Sequence, residues 1–383
     1  MKIDKINLNF IDNELKLVTS EKIFVMYPNL SNELNIMKSK IDENNKDWDK
    51  MKKVTNPYEL IHLSHNKEKK NNSIARYIPL SRSYFKMVEM IHDYNLLDNK
   101  KSSITTTSLA EGPGGFMEAI YSYRKNNGNL NYINDKIYGI TLPSTNKYVP
   151  GWKKVINNNK FNFHIKYGNL YNIEDVKNFT KIFDKDKSYL VTADGGFDYS
   201  IDFNNQEQLS YRIIFCEIVT ALGIQEIGGN FVCKIFDIFT LFTMKMIYLL
   251  YYFYDEVYII KPKTSRAANS EKYLIAKGYK GIDDKTMNEL YIILENWNDD
   301  KYALDISGLK FGNDFIHFMN EYNKKYIENQ LKYISKTIKY VNNRPEKEKY
   351  HRIVKKQINN AISWCKKYNI MVNKNSRYIN YIS

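Results

Sequence analysis

Short apolar, β-branched runs alternate with longer stretches of helical spacing through the middle of this chain. The runs at 104–109, 136–142, 161–167, 189–193, 230–236 and 257–260 have the length of strands. Between them, 116–124, 209–222 and 240–253 carry apolar residues at three- and four-residue spacing, as helices do. Strands separated by such helices predict βαβ units on a parallel sheet covered on both faces. The expected fold class is α/β, a doubly wound, mostly parallel sheet.

The texture changes on either side. Residues 1–70 are polar and rich in Asn and Lys, with helical spacing at Leu30, Leu34, Met37 and Ile41, and later at Trp48 and Met51. The charged run 67–70, followed by Asn71 and Asn72, reads as a linker. Beyond Asp284 the pattern is helical and basic, broken at Arg344-Pro345. The expected organisation is a partly helical extension at 1–70, an α/β domain at 71–283, and a basic helical region at 284–383.

Composition narrows the function. Of 383 residues, 43% are hydrophobic and 26% charged, which is globular. The most apolar stretch, 235–254, is interrupted by Asp237 and Lys245, so no membrane span is expected. The N-terminus lacks a secretory pattern. Cys216, Cys233 and Cys365 stand apart without metal-ligand spacing, so neither zinc nor a disulfide framework is expected, and the compartment should be reducing. The net charge of +14 favours a polyanionic partner. Residues 321–383 hold 15 Lys or Arg against 4 Glu, or +11. Lys355, Lys356, Lys366 and Lys367 flank Trp364 there, which suggests a cationic surface with a stacking aromatic. The rival reading packs Ile353, Ile358, Ile362 and Trp364 on the core and leaves the lysines solvated.

Five motifs carry candidate chemistry. Glu111-Gly112-Pro113-Gly114-Gly115-Phe116 joins the first core strand to its helix, where glycines let backbone approach a ligand. It is neither a pyrophosphate fingerprint nor a P-loop. Asp194-Gly195-Gly196-Phe197-Asp198 ends another strand and aims an acid at the ligand crevice of an open α/β sheet. Lys234 lies in an apolar strand after Gly228-Gly229, where an ammonium is costly unless paired or neutralised. Lys261-Pro262-Lys263-Thr264-Ser265-Arg266 continues to Asn269-Ser270-Glu271-Lys272-Tyr273, and Ser81-Arg82-Ser83-Tyr84-Phe85-Lys86 opens a helix.

In that order, over about 48–283, these motifs resemble the FtsJ-like family of S-adenosyl-L-methionine (SAM)-dependent 2′-O-ribose RNA methyltransferases, whose fold is Rossmann-like. The resemblance implies a catalytic tetrad of Lys86, Asp194, Lys234 and Glu271. It implies SAM contacts from Glu111, Gly112, Pro113, Gly114, Gly115, Phe116, Thr141, Asn169, Leu170 and Asp194. It implies RNA contacts from Arg82, Tyr84, Ser265, Arg266 and Ser270, and requires no metal. Departures are Ser108 where many members carry an acid, no acid after the strand at 136–142, and Asn169 in place of an aspartate. Residues 47–48 and 55–60 are similar to the stretch preceding the core in messenger-RNA cap methyltransferases, including viral ones.

What the resemblance implies is methyl transfer to a ribose 2′-hydroxyl near the cap, with capped RNA and capping-enzyme subunits as partners, in the cytoplasm, a virion or a viral factory. The alternatives are a ribosomal or transfer-RNA 2′-O-methyltransferase and a non-catalytic RNA-binding subunit. A 2′-hydroxyl needs a base. Lys234 could serve if neutral; burial and Lys86 should depress its pKa, while Asp194 and Glu271 should raise it.

Overall fold

A computed structural model describes residues 2–3, 14–42, 45–63, 72–127, 130–143, 151–152, 163–196 and 204–379. Only Asn72 of the expected linker, and neither Phe197 nor Asp198, falls among them. The strands are β1 (Lys16–Ser20), β2 (Thr105–Leu109), β3 (Lys136–Thr141), β4 (Phe163–Tyr167), β5 (Ser188–Ala193), β6 (Gln225–Ile235), β7 (Tyr254–Ile260), β8 (Lys272–Tyr279) and β9 (Tyr302–Ser307). The helices used below are α1 (Pro28–Asp42), α2 (Asn45–Thr55), α3 (Ser83–Tyr94), α4 (Gly115–Asn127) and α5 (Ile173–Thr180). They continue with α6 (Tyr211–Ile224), α7 (Leu241–Phe253), α8 (Asp284–Glu295), α9 (Asn313–Asn342) and α10 (Lys347–Lys367).

The main sheet has the order β4-β3-β2-β5-β6-β8-β7. Neighbours from β4 to β6 are parallel, and β8 runs antiparallel to both β6 and β7. The sheet is thus mostly parallel, as the alternation predicts. β8 itself is absent from the expected strands. Its buried run Tyr273 to Ala276 is masked in the sequence by flanking lysines that turn out to be buried or half-buried partners. β9 lies in the region read as helical and pairs with β1 in a separate antiparallel ribbon. The break at Arg344-Pro345 does separate α9 from α10.

Side-chain alternation divides two cores. Phe231, Cys233 and Ile235 of β6 and Leu274 and Ala276 of β8 enter one, covered by α5 to α9 and by Leu34, Ile41 and Trp48 of the N-terminal region. Val232, Tyr273 and Ile275 enter the other, under α3, α4 and α10. Both flanking regions are therefore packed on the sheet. Strand parity also sends Lys234 and Tyr273 to the same face, because they pair directly across β6 and β8.

Candidate active site

Four elements converge at the C-terminal ends of the parallel strands. Asp194 follows β5, Lys234 is the penultimate residue of β6, Lys86 projects from α3, and Glu271 immediately precedes β8. Lys86 Nζ lies 2.7 Å from Glu271 Oε1 and 3.4 Å from the Tyr273 hydroxyl. That hydroxyl donates to Asp194 Oδ1 at 2.9 Å. Lys234 Nζ donates to the Asp194 carbonyl at 2.8 Å and lies 3.3 Å from Asp194 Oδ1. The result is one continuous chain: Glu271, Lys86, Tyr273, Asp194, Lys234. The sequence motif contains Tyr273, but its role as the middle link was not legible without β8.

Electrostatics follow from that pairing. Burial alone would raise the Glu271 carboxyl, yet Lys86 and Lys234 hold its pKa down to about 2. Burial alone would lower Lys234, but the carboxylates of Asp194, Glu271 and Glu217 outweigh it and raise its pKa above the usual lysine value. The ammonium is therefore its resting form, and the expected competition ends in favour of the acids. Glu217, an acid inside the apolar helix α6, accepts from Gly195 N at 2.8 Å and so braces the turn carrying Asp194. Burial pushes it up to about 8. An acid in the middle of an otherwise apolar stretch of helix was the available sequence signal.

The glycine loop sits beside this chain. Glu111 is buried, and its Oε1 accepts from Phe116 N at 2.7 Å. Its Oε2 is buried without a hydrogen-bond partner, and burial raises its pKa well above the ordinary value. Gly114 has φ +106°, a conformation that L side chains rarely adopt. Gly112 N donates to Thr141 Oγ1 at 3.3 Å. Gly115 does something other than open the loop: a Cβ there would strike the Ser81 and Ser83 hydroxyls, so its absence lets α4 approach α3. Phe116 and Leu170 are buried, and exposed Asn169 folds its Oδ1 back onto Tyr171 N at 3.0 Å.

Each of the expected RNA contacts is already engaged by partners within the protein, and Arg266 keeps the most exposure, with a third of its side chain accessible. Arg266 makes a two-toothed contact with buried Glu59, at 2.9 and 3.1 Å. Arg82 lies 3.5 Å from the same carboxylate and donates to the His62 and Thr264 carbonyls. Tyr84 is buried against Tyr77 and Phe85. Buried Ser265 donates to Asn269 Oδ1, and buried Ser270 to Asp237 Oδ2. Their polar groups fix the 262–271 segment that presents Glu271. Lys261 does the same with three 2.7 Å bonds, to Asn269 O, Asn269 Oδ1 and Glu271 O. Burial pushes Lys261 down to about 7. Trp364 is likewise buried, stacked edge-on to Phe85, and its indole donates to Glu89, which also accepts from Lys263 N and Thr264 N. The packing reading of α10 therefore replaces the stacking one.

A family model described as FtsJ-like methyltransferase matches residues 79–279, which enclose all of these motifs. The chain belongs to that family. It is 30% identical over 285 residues to "Cap-specific mRNA (nucleoside-2'-O-)-methyltransferase 1" of Danio rerio, covering 66% of this chain and 33% of that protein. The protein of the same name from Drosophila melanogaster is 32% identical, over 59% of this chain and 30% of its own length. That of Xenopus laevis is 27% identical over 86% of this chain and 40% of its own. The chain thus spans about a third of the length of the first two relatives.

Proposed function

We propose that this chain transfers the methyl group of SAM to the ribose 2′-hydroxyl of a nucleotide near the 5′ cap of messenger RNA. The observation that carries this reading is the contact chain from Glu271 through Lys86, Tyr273 and Asp194 to Lys234. The relatives' shared name supplies the cap.

The residues present fit a cofactor bearing polar hydrogen-bonding groups, since Glu111 keeps one buried oxygen unpaired at the loop. Glu111, the Gly112–Gly114 backbone, Thr141 and Asp194 would hold SAM, whose sulfonium supplies an already activated methyl group. Lys234, once deprotonated, accepts the proton of the 2′-hydroxyl. Asp194 aims its Nζ. Lys86 and Glu271 neutralise one another, and so fix the far wall without adding net charge. Because the resting ammonium has a raised pKa, methyl transfer should quicken as pH rises through the neutral range.

Three free, buried cysteines fit a reducing compartment, and we place the activity in the cytoplasm. The test is incubation with SAM and short capped or uncapped RNA, followed by mass analysis of the nucleosides. The expected product is a 2′-O-methyl nucleoside from capped RNA. Base methylation, or equal activity on uncapped RNA, would overturn the reading.

A further inference from the structure

α2, α10 and the break after α9 line a cavity of about 370 Å³, whose lining includes Lys50, Lys53, Arg344, Tyr350 and Tyr378. Its one acidic lining residue is Glu59, whose carboxylate is already occupied by Arg82 and Arg266. Arg344 meets Asp47 at 3.4 Å, an exposed pair of little strength. Tyr350 is 43% exposed, which leaves ring surface available for a base.

A second cluster adjoins this cavity one residue along α10. Lys336 of α9 and Lys349 of α10 both stand over the Tyr340 ring, at 5.8 and 5.5 Å, and Lys332 and Lys356 lie close enough for their charges to act on Lys336. None of these four lysines has an ion pair among the described residues. Burial lowers the pKa of Lys336, and the charges of Lys356, Lys349 and Lys332 lower it further. The fold therefore gathers these cations around Lys336 and Tyr340 with no ion-paired acid among the described residues. Such a surface complements a polyanion.

We propose that the cavity and the lysine cluster together form a second RNA site, which holds single-stranded RNA extending beyond the catalytic cleft. The inference rests on the RNA substrate argued above. Continuity between the two sites runs through Glu59: it lines the cavity and holds Arg266 and Arg82, which anchor the segments presenting Glu271 and Lys86. Phosphates meet the lysines, and a base lies against Tyr350.

The experiment is binding of 5- and 25-nucleotide capped RNAs, read by fluorescence anisotropy over a salt series. The proteins are the full chain, Lys336→Glu/Lys349→Glu, and a control with Lys22→Glu/Lys100→Glu. The unaltered chain should bind the long RNA at least about tenfold tighter than the short one. The cluster variant should lose most of that ratio, and its salt slope on long RNA should be shallower by about 1.4, at about 0.7 per lost single-strand contact. The control should keep the ratio. If the charge reversal unfolds the chain, Lys336→Gln/Lys349→Gln carries the same comparison.

No length dependence in the unaltered chain, an unchanged ratio in the cluster variant, or an equal loss in the control would overturn the site. Loss confined to the cluster variant, together with no methylation of capped RNA, would sustain the site and sink the proposed activity instead.

Discussion

Lys272 and Tyr273 are consecutive in β8 and serve two buried polar networks on opposite faces of the sheet. On one face Asp237 accepts from Lys38 Nζ at 2.7 Å, Ser270 Oγ at 2.9 Å and Lys272 Nζ at 3.2 Å. Lys272 also donates to the carbonyls of Phe236 and Ser270, and Gln330 of α9 donates to Ser270 Oγ. On the other face lies the chain from Glu271 to Lys234. Both are built from lysines and acids, but their exposure differs. The side chains of Lys38, Asp237 and Lys272 are 5–6% exposed, whereas Lys86, Glu271, Asp194 and Lys234 are 13–15% exposed. The first network ties α1 and α9 to the sheet, and although Lys38, Ser270 and Gln330 line a small cavity of about 150 Å³, its charged groups stay less exposed. The second is balanced, two lysines against two acids, and solvent can reach it. Residue type alone does not make a site; access and slack do.

The widest separation between them should appear on mutation. Lys234→Ala should lower kcat by about 10⁴-fold, the upper range for loss of a general base, while SAM binding measured by calorimetry stays close to that of the unaltered chain. Lys234→Arg should be as inactive, because guanidinium keeps its proton. Turnover within tenfold of the original would erase the distinction. Asp237→Ala should do the reverse. It strands two buried ammonium groups, and removing one partner of a buried pair costs about 3–5 kcal/mol, measured by denaturant unfolding. Activity per folded molecule should survive, and a variant that unfolds normally but turns over slowly would place Asp237 in the catalytic network.

How far the sequence foretold this division varies with the physics involved. The parallel strands and their helices were legible because each is a short apolar run or a helical repeat. The four residues Lys86, Asp194, Lys234 and Glu271 could be singled out in the sequence because each sits in its own motif, in the order the family resemblance implies, and the fold brings the four together. Arg82, Arg266 and Ser270 carried no such signal. The engagement of Arg266 by buried Glu59 joins positions 207 apart in the chain, and only the fold brings them together. β8 was missed for a related reason, since its half-buried and buried lysines imitate a polar loop. Trp364 looked available only because nothing in the tail's own sequence announces Phe85 and Glu89 beneath it.

Tyr273 allows a finer test within the proposed catalytic network. Its hydroxyl accepts from Lys86 and donates to Asp194, so Tyr273→Phe removes one link and leaves both ion pairs. Losing a hydrogen bond to a charged group should lower kcat about tenfold with KM little changed. A fall as large as that of Lys234→Ala would make Tyr273 an acid or base rather than a positioning residue.

The smallest effect should come from Glu217, behind the Asp194 turn. Its folded pKa of about 8 exceeds the ordinary value of 4.5, so the native state holds a proton that the unfolded chain gives up. The stability it contributes is fully present below pH 4.5 and is lost as pH rises through about 8. Near pH 6 the group is a neutral acid whose oxygen accepts from Gly195 N, a role that an amide oxygen can fill. Glu217→Gln should therefore change thermal stability little at pH 5, then gain on the original chain as pH climbs toward 8, and hold that advantage above it. Melting temperatures of the two proteins across this series are the measurement. A difference that stayed flat with pH would mean that Glu217 is ionised throughout and belongs, with Asp194 and Glu271, to the charged network around Lys234.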